Sequence, residues 1–129
     1  MNRSGKRTQA EALAVLQSHR TPMSAYEMLG YLREENPRMA PPTIYRALAA
    51  LTHSGSVHRL ESLNAFIACQ RNRHRQASIL SICGECGGVE ENVSAELLKT
   101  LSGIAEKSGF APARHVIEIH GQCASCEST

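Results

Sequence analysis

The chain has 129 residues, 42% of them hydrophobic, and no apolar run approaches the roughly 18 residues of a membrane span, so we predict a soluble protein. Five cysteines and an N-terminus without a secretory-signal pattern favour a cytoplasmic protein with reduced thiols over a secreted disulfide framework. The net charge of +2 is uneven, because residues 1–75 carry 11 Lys and Arg against 5 Glu whereas residues 76–129 carry 3 against 7, which favours a polyanionic partner for the first part.

The first part of the chain predicts three short amphipathic helices. Thr8 and Glu11 have capping-box spacing at the start of a helix near residues 8–19, and Ser24 begins a second helix with the same spacing. The third, "PPTIYRALAALTHSG", opens with two prolines suited to a helix entrance and ends at Gly55. Three helices of this length predict a compact bundle.

Two strand patterns follow the third helix. "VHRL" and "AFIAC" are separated by "ESLN", whose Ser and Asn suit a turn, so this segment predicts a β-hairpin. Three helices followed by a hairpin is the outline of a winged helix-turn-helix, in which the third helix enters the DNA major groove and the hairpin contacts the backbone.

The second part of the chain predicts a smaller α/β unit. The polar stretch "QRNRHRQ" has no periodicity and is interpreted as a hinge. A helix is predicted from Ser94 to about Lys107, with strands at 78–83, 88–91 and 114–120. We therefore predict an α+β fold with a winged-helix DNA-binding domain (1–69), a hinge (70–76) and a small C-terminal α/β domain (77–129).

Two CxxC motifs predict a metal site. Cys83 and Cys86 lie in "ICGEC", and Cys123 and Cys126 lie in "GQCASC". Four thiolates form a closed tetrahedral zinc site. Such a zinc staple would stabilise a domain that buries too little apolar surface to be stably folded alone. The alternative is a redox pair of the thioredoxin type, but that needs only one CxxC beside a βαβ pattern, which this chain lacks.

The third helix has an outward face suited to DNA. Its apolar residues at helical spacing turn toward the core, which leaves Thr43, Tyr45, Arg46 and Ala49 outside. Arginine suits guanine edges or phosphate, and tyrosine can contact a thymine methyl group or a phosphate. An ordinary solvated helix face is the alternative for this pattern, and a chance cluster of surface arginines is the alternative for the basic charge.

Several of these motifs resemble a known family. "PPTIYRALAALTHSGSVHRLESLNAFIAC", "ICGECGGVEE" and "HVIEIHGQCASC" are similar to the ferric uptake regulator (Fur) family, and "SVHRLESLNAFIAC" is most similar to its zinc uptake branch. The resemblance implies a homodimeric, metal-dependent repressor that binds double-stranded operator DNA. It also implies that residues 77–129 are a zinc-stapled dimerisation domain and that zinc is both staple and corepressor. It also implies DNA contacts by Tyr26, Tyr45 and Arg46.

The resemblance further implies a second, regulatory zinc, held by His58, Cys69, His74 and Glu91. If the hairpin pairs about "ESLN", residue 58 lies opposite 67, so His58 and Cys69 are diagonal neighbours about 7–8 Å apart at Cα. Read without the resemblance, Cys69 is a small buried hydrophobe and His58 a surface histidine. The hinge departs from the family pattern, because Gln76 stands where the second histidine of a His-x-His motif is usual.

Other functions fit parts of this pattern. A family member sensing iron, manganese or peroxide is the nearest, although Cys69 favours zinc because harder metals prefer His and carboxylate ligands. A zinc-stapled interaction module without DNA affinity and a thiol oxidoreductase are the others. Aspartate is absent and no nucleophile, base and orienting residue form a set, so we predict neither an enzyme nor a site for a small organic ligand.

Overall fold

The computed structural model describes residues 3–19, 21–70, 78–112 and 115–127. The chain separates into two compact units, Met1–Asn72 and Arg73–Thr129, called here the N-terminal and C-terminal units. The predicted hinge, apart from Gln70, lies outside the described residues, so its bounds stay a prediction. No helix in the described part of the chain is long and apolar enough to cross a membrane.

Three helices form the body of the N-terminal unit: α1 (Arg3–Ser18), α2 (Ala25–Leu32) and α3 (Pro41–Ser54). The prediction that α1 begins at Thr8 is wrong. Thr8 lies inside the helix and is only 5% exposed, because its short side chain faces the bundle. The capping-box spacing of Thr8 and Glu11 is thus coincidental.

The predicted start of α2 and both predicted ends of α3 are confirmed. At the start of α2, the Ser24 hydroxyl accepts the Glu27 backbone N–H at 3.1 Å, and the Ser24 N–H donates to the Glu27 carboxylate at 3.1 Å. Helix α3 begins with Pro41 and ends at Gly55, whose φ of 84° suits a residue without a Cβ.

The core of the N-terminal unit is built from the apolar faces of these helices and the hairpin that follows them. Its most deeply buried large side chains are Leu16, Met28, Ile44, Leu48, Val57 and Leu60. All of them are less than 2% exposed, so removing any one would leave a cavity rather than a wet surface.

The hairpin consists of β1 (Val57–Leu60) and β2 (Ala65–Ala68), paired antiparallel with His58 opposite Ile67, as predicted. Its edge is tied to the segment before α2, since Met23 and Phe66 exchange backbone hydrogen bonds of 2.9 and 2.8 Å. Three helices and this hairpin form a winged helix-turn-helix, which confirms the predicted fold class.

The described residues of the C-terminal unit form a three-stranded sheet and two helices. Its elements are β3 (Ser78–Cys83), β4 (Val89–Val93), α4 (Ala95–Glu106), β5 (Ile117–Gly121) and the short α5 (Ala124–Glu127). The strand order is β4-β3-β5, with β3 antiparallel to β4 and parallel to β5. The predicted strands at 88–91 and 114–120 differ from β4 and β5 by a few residues, while Ser94 caps α4 as expected.

Candidate metal centre and DNA-binding surface

Four cysteine thiols converge at one end of the C-terminal sheet. The sulfur atoms of Cys83, Cys86, Cys123 and Cys126 all lie within 4.8 Å of one another, and the Cys86 and Cys123 sulfurs are 3.8 Å apart. A tetrahedron with metal–sulfur bonds of about 2.3 Å has sulfur–sulfur edges of about 3.8 Å. The cluster therefore has the size and the soft-ligand chemistry that suit a zinc ion.

The parallel pairing of β3 with β5 brings the two knuckles together. Cys83, the last residue of β3, lies in register with Gly121, the last residue of β5, and the Gly84 N–H donates to the Gly121 carbonyl at 2.9 Å. The second knuckle begins two residues after Gly121. Both CxxC turns therefore follow strands that finish at the same end of the sheet.

The first knuckle packs tightly around its second cysteine. The Gly88 N–H donates to the Cys86 sulfur at 3.4 Å, and a Cβ at Gly88 would lie 3.2 Å from that sulfur. A larger residue at position 88 would therefore press on the Cys86 sulfur, and this close approach explains why a glycine occupies the position.

Backbone amides stabilise the thiolate form of Cys83. The N–H groups of Cys86, Cys123 and Glu85, in that order of effect, lower the pKa of Cys83 to about 6. At Cys86 the Gly88 N–H lowers the pKa, but the sulfurs of Cys83 and Cys123 outweigh it and the net shift is upward. Hydrogen bonding among the neighbouring thiols, chiefly with Cys123, raises the pKa of Cys126 to about 12. A cation that takes the place of these protons removes the repulsion between neighbouring thiolates, so a cluster of this kind favours a bound metal ion.

The hairpin of the N-terminal unit brings together two side chains of types that can bind a metal. His58 lies on β1, and the Cys69 N–H donates to the Ser56 carbonyl at 2.8 Å, which continues the ladder beyond β2. A ring nitrogen of His58 and the Cys69 sulfur lie within 4.8 Å of each other. Both side chains are half-buried, so neither is a plain surface or core residue.

Of the two adjacent glutamates in the C-terminal unit, only Glu91 is buried. Glu91 is 3% exposed and accepts a hydrogen bond of 2.6 Å from the Ser78 hydroxyl, whereas Glu90 faces solvent. Strand alternation puts these two carboxylates on opposite faces of β4. The predicted ligand His74 lies outside the described residues.

The outward face of α3 has the predicted composition. Tyr45 is 59% exposed, Arg46 is exposed and Thr43 is half-buried. Tyr26, near the start of α2, is 83% exposed. Large aromatic side chains are seldom this open, and two of them with an arginine on one unit are typical of a surface that meets a partner.

Sequence reasoning missed two interactions that organise these side chains. Ser78 orients Glu91, and the Gln122 amide contacts the Glu85 carboxylate between the two knuckles. Only the strand register could have identified Ser78, since Ser78 and Glu91 are diagonal neighbours on one face of β3 and β4. Two histidines of the C-terminal unit have other partners: His115 lies 3.2 Å from the Ser102 hydroxyl, and His120 lies 3.5 Å from the Glu118 carboxylate.

Comparisons with known proteins agree with this geometry. The family model described as "Ferric uptake regulator family" matches residues 4–120. The zinc uptake regulation protein of Escherichia coli K12 is 38% identical over 117 residues, which cover 90% of this chain and 68% of that protein.

Two solved structures are similar over nearly the whole chain. The structure of holo XcZur has a TM-score of 0.88 at 36% identity and covers 95% of this chain and 85% of its own. A zinc uptake regulator complexed with zinc and DNA has a TM-score of 0.89 at 37% identity, with 94% of this chain and 81% of its own covered.

Proposed function

This chain belongs to the ferric uptake regulator family, and we propose that it is a zinc-responsive transcriptional repressor that binds operator DNA as a metal-loaded homodimer and controls zinc uptake genes. The convergence of four thiols at zinc spacing, in a chain that also has a winged helix, carries the proposal. The family consists of transcriptional regulators, and we propose that this member has no catalytic activity and works in the cytoplasm.

Residues 1–69 are proposed to bind DNA. Helix α3 would present Thr43, Tyr45 and Arg46 to the major groove, and Tyr26 of α2 would add a further contact. The exposure of Tyr26, Tyr45 and Arg46 supports this role, because exposed side chains are available to a partner.

Residues 77–129 are proposed to form the dimer contact, with residues 70–76 as the hinge. No side chain of α4, all of whose residues are described, is fully buried, and four large apolar residues are exposed in the described part of this unit. They are Ile104, Phe110, Val116 and Ile119. Strand β5 is also an edge strand. A second copy of the chain would bury the exposed apolar residues and cover the open edge of β5. Exposed apolar faces and unpaired strand edges both favour association with another chain in water.

The second zinc is proposed as the signal. His58 and Cys69 from the hairpin, with His74 and Glu91, would bind it, and a bound ion would supply bonds to ligands from both units. These ligands would hold the winged helix at the orientation that fits successive major grooves, so the DNA-binding population would rise with zinc. The Cys69 thiol favours zinc over iron or manganese as the signal.

The proposal is tested with DNA selected from a random pool of duplexes by the zinc-loaded protein. We expect one duplex class to be enriched, and the homodimer to release it when a chelator removes the more weakly held zinc. Failure to enrich any sequence, or equal affinity with and without zinc, would contradict the proposal and favour an interaction module.

The Arg46→Ala protein is expected to bind the selected duplex about 1–3 kcal/mol more weakly, because a base-edge or phosphate contact is lost. If Arg46 contacts phosphate, the slope of log affinity against log salt also falls by about 1. Fluorescence anisotropy over a salt series measures both. The control is Lys99→Ala, which removes an exposed positive charge from α4 and should leave binding unchanged. Equal losses in both proteins would contradict a specific contact.

The Ser78→Ala protein is expected to bind the second zinc about 10–100-fold more weakly, because Glu91 loses the hydrogen bond that orients it. Competition with a chromophoric chelator measures the affinity. Ser81→Ala is the matched control, since Ser81 lies on the same strand but faces the other side of the sheet. An unchanged zinc affinity in Ser78→Ala would contradict the proposal that Ser78 orients Glu91 as a ligand of the second zinc.

A further inference from the structure

We propose that the four-thiol cluster is also an oxidative modification site, in which a peroxide joins Cys86 and Cys123 as a disulfide. The inference concerns which two of the four sulfurs react. It depends on the proposed function only for the identity of the metal that is released.

Cys86 is the sulfur that an oxidant reaches first. It is the exposed member of the cluster, while Cys83 is only 4% exposed and Cys123 and Cys126 are half-buried. A cavity of about 350 Å³ borders the cluster and is lined by Cys83, Cys86 and Cys123, together with Ser81, Glu90 and Ile119, so that exposure rather than the cavity singles out Cys86. Hydrogen peroxide is small enough to enter a cavity of this size.

Cys123 is well placed to react next. It lies 3.8 Å from the Cys86 sulfur, so modest rotation of the two side chains brings them within bonding distance. Two interactions hold the knuckles together: the backbone hydrogen bond from the Gly84 N–H to the Gly121 carbonyl, and the side-chain contact between Gln122 and Glu85. The pair should therefore stay together while the bond forms.

The reaction requires a two-electron oxidant of the peroxide class. The Cys86 thiolate attacks one peroxide oxygen, the O–O bond breaks and hydroxide leaves, which gives a sulfenic acid at Cys86. The Cys123 thiolate then attacks the Cys86 sulfur, so that the S–S bond forms, the S–O bond breaks and a second hydroxide leaves. The two thiolates lose two electrons in total, and the peroxide is reduced to two hydroxides, which take protons from solvent.

A disulfide at this pair removes two of the four thiolate ligands. Disulfide sulfurs bind zinc poorly, so the ion should leave, whereas the new bond keeps the two knuckles joined. The C-terminal unit would then exchange a metal staple for a covalent one, and a thiol reductant would reverse the change.

The test treats the zinc-loaded homodimer with hydrogen peroxide, blocks the remaining thiols by alkylation and maps disulfides by peptide mass spectrometry. A chromophoric chelator follows zinc release in the same samples, and zinc per subunit is counted before oxidation. We expect the first disulfide to join Cys86 to Cys123 within one subunit, one zinc to be released per disulfide, and dithiothreitol with added zinc to restore the starting state.

A first disulfide within either CxxC motif, between subunits, or to Cys69 would overturn the proposal, as would zinc loss without a disulfide. The Cys69→Ser protein is the matched control and should give the same Cys86–Cys123 product. DNA binding is not a readout, so a failure of the repressor proposal leaves the result interpretable.

Discussion

The Cys69→Ser protein is expected to bind operator DNA roughly 100-fold more weakly than the parent at saturating zinc, which is within the usual range of coupling between two sites. A serine hydroxyl is a poor zinc ligand, so the proposed second zinc should be lost. Without that ion, the ligands of the two units are no longer joined and zinc cannot shift the population toward the DNA-binding state. Anisotropy titrations at controlled free zinc measure the effect.

Zinc counting distinguishes loss of the signal from loss of the fold. The Cys69→Ser protein should hold one zinc per subunit where the parent holds two, and its circular dichroism should be unchanged. The Cys69→His protein should recover part of the zinc response, because imidazole is also a good zinc ligand. Parent-like DNA affinity in Cys69→Ser at saturating zinc would contradict the regulatory role of His58 and Cys69.

The Cys123→Ser protein is expected to lose the other zinc and, with it, the folded C-terminal unit. A structural zinc contributes on the order of 10 kcal/mol to folding, which is comparable to the whole stability of a typical domain. The remaining apolar core is small: in the C-terminal unit, Leu80, Ile82 and Cys83 are the buried apolar residues among those described. Urea denaturation and limited proteolysis should therefore show an unfolded C-terminal unit.

The matched control for Cys123→Ser is Ser125→Ala, within the same knuckle. That protein should keep both zinc ions and its proteolysis pattern, because the Ser125 side chain supplies no thiolate. A Cys123→Ser protein that remained folded and held as much zinc as the parent would show that the four-thiol cluster is not a structural metal site.

Features set by neighbours in the chain were predictable. The capping box at Ser24, the prolines and glycine that bound α3, and the turn that pairs His58 with Ile67 each depend on residues a few positions apart. The thiol spacing of each knuckle is equally local, and a tetrahedral ion demands two such pairs. The composition of the candidate sites therefore follows from sequence alone.

Local patterns were insufficient where burial decides. The spacing of Thr8 and Glu11 resembles a cap, yet Thr8 lies against the bundle inside a longer helix. Glu90 and Glu91 are identical residues in sequence, and only the register of β4 against β3 buries one and exposes the other.

The sequence by itself determined which residue types this protein offers to a metal and to DNA, because spacing, caps and turns are short-range properties. The tertiary structure decided which of them meet. The parallel pairing of β3 with β5 joins residues nearly forty positions apart and places Cys83 beside the knuckle of Cys123. No local pattern encodes such a pairing, since it forms only when the chain closes a long loop and buries the sheet against its neighbours.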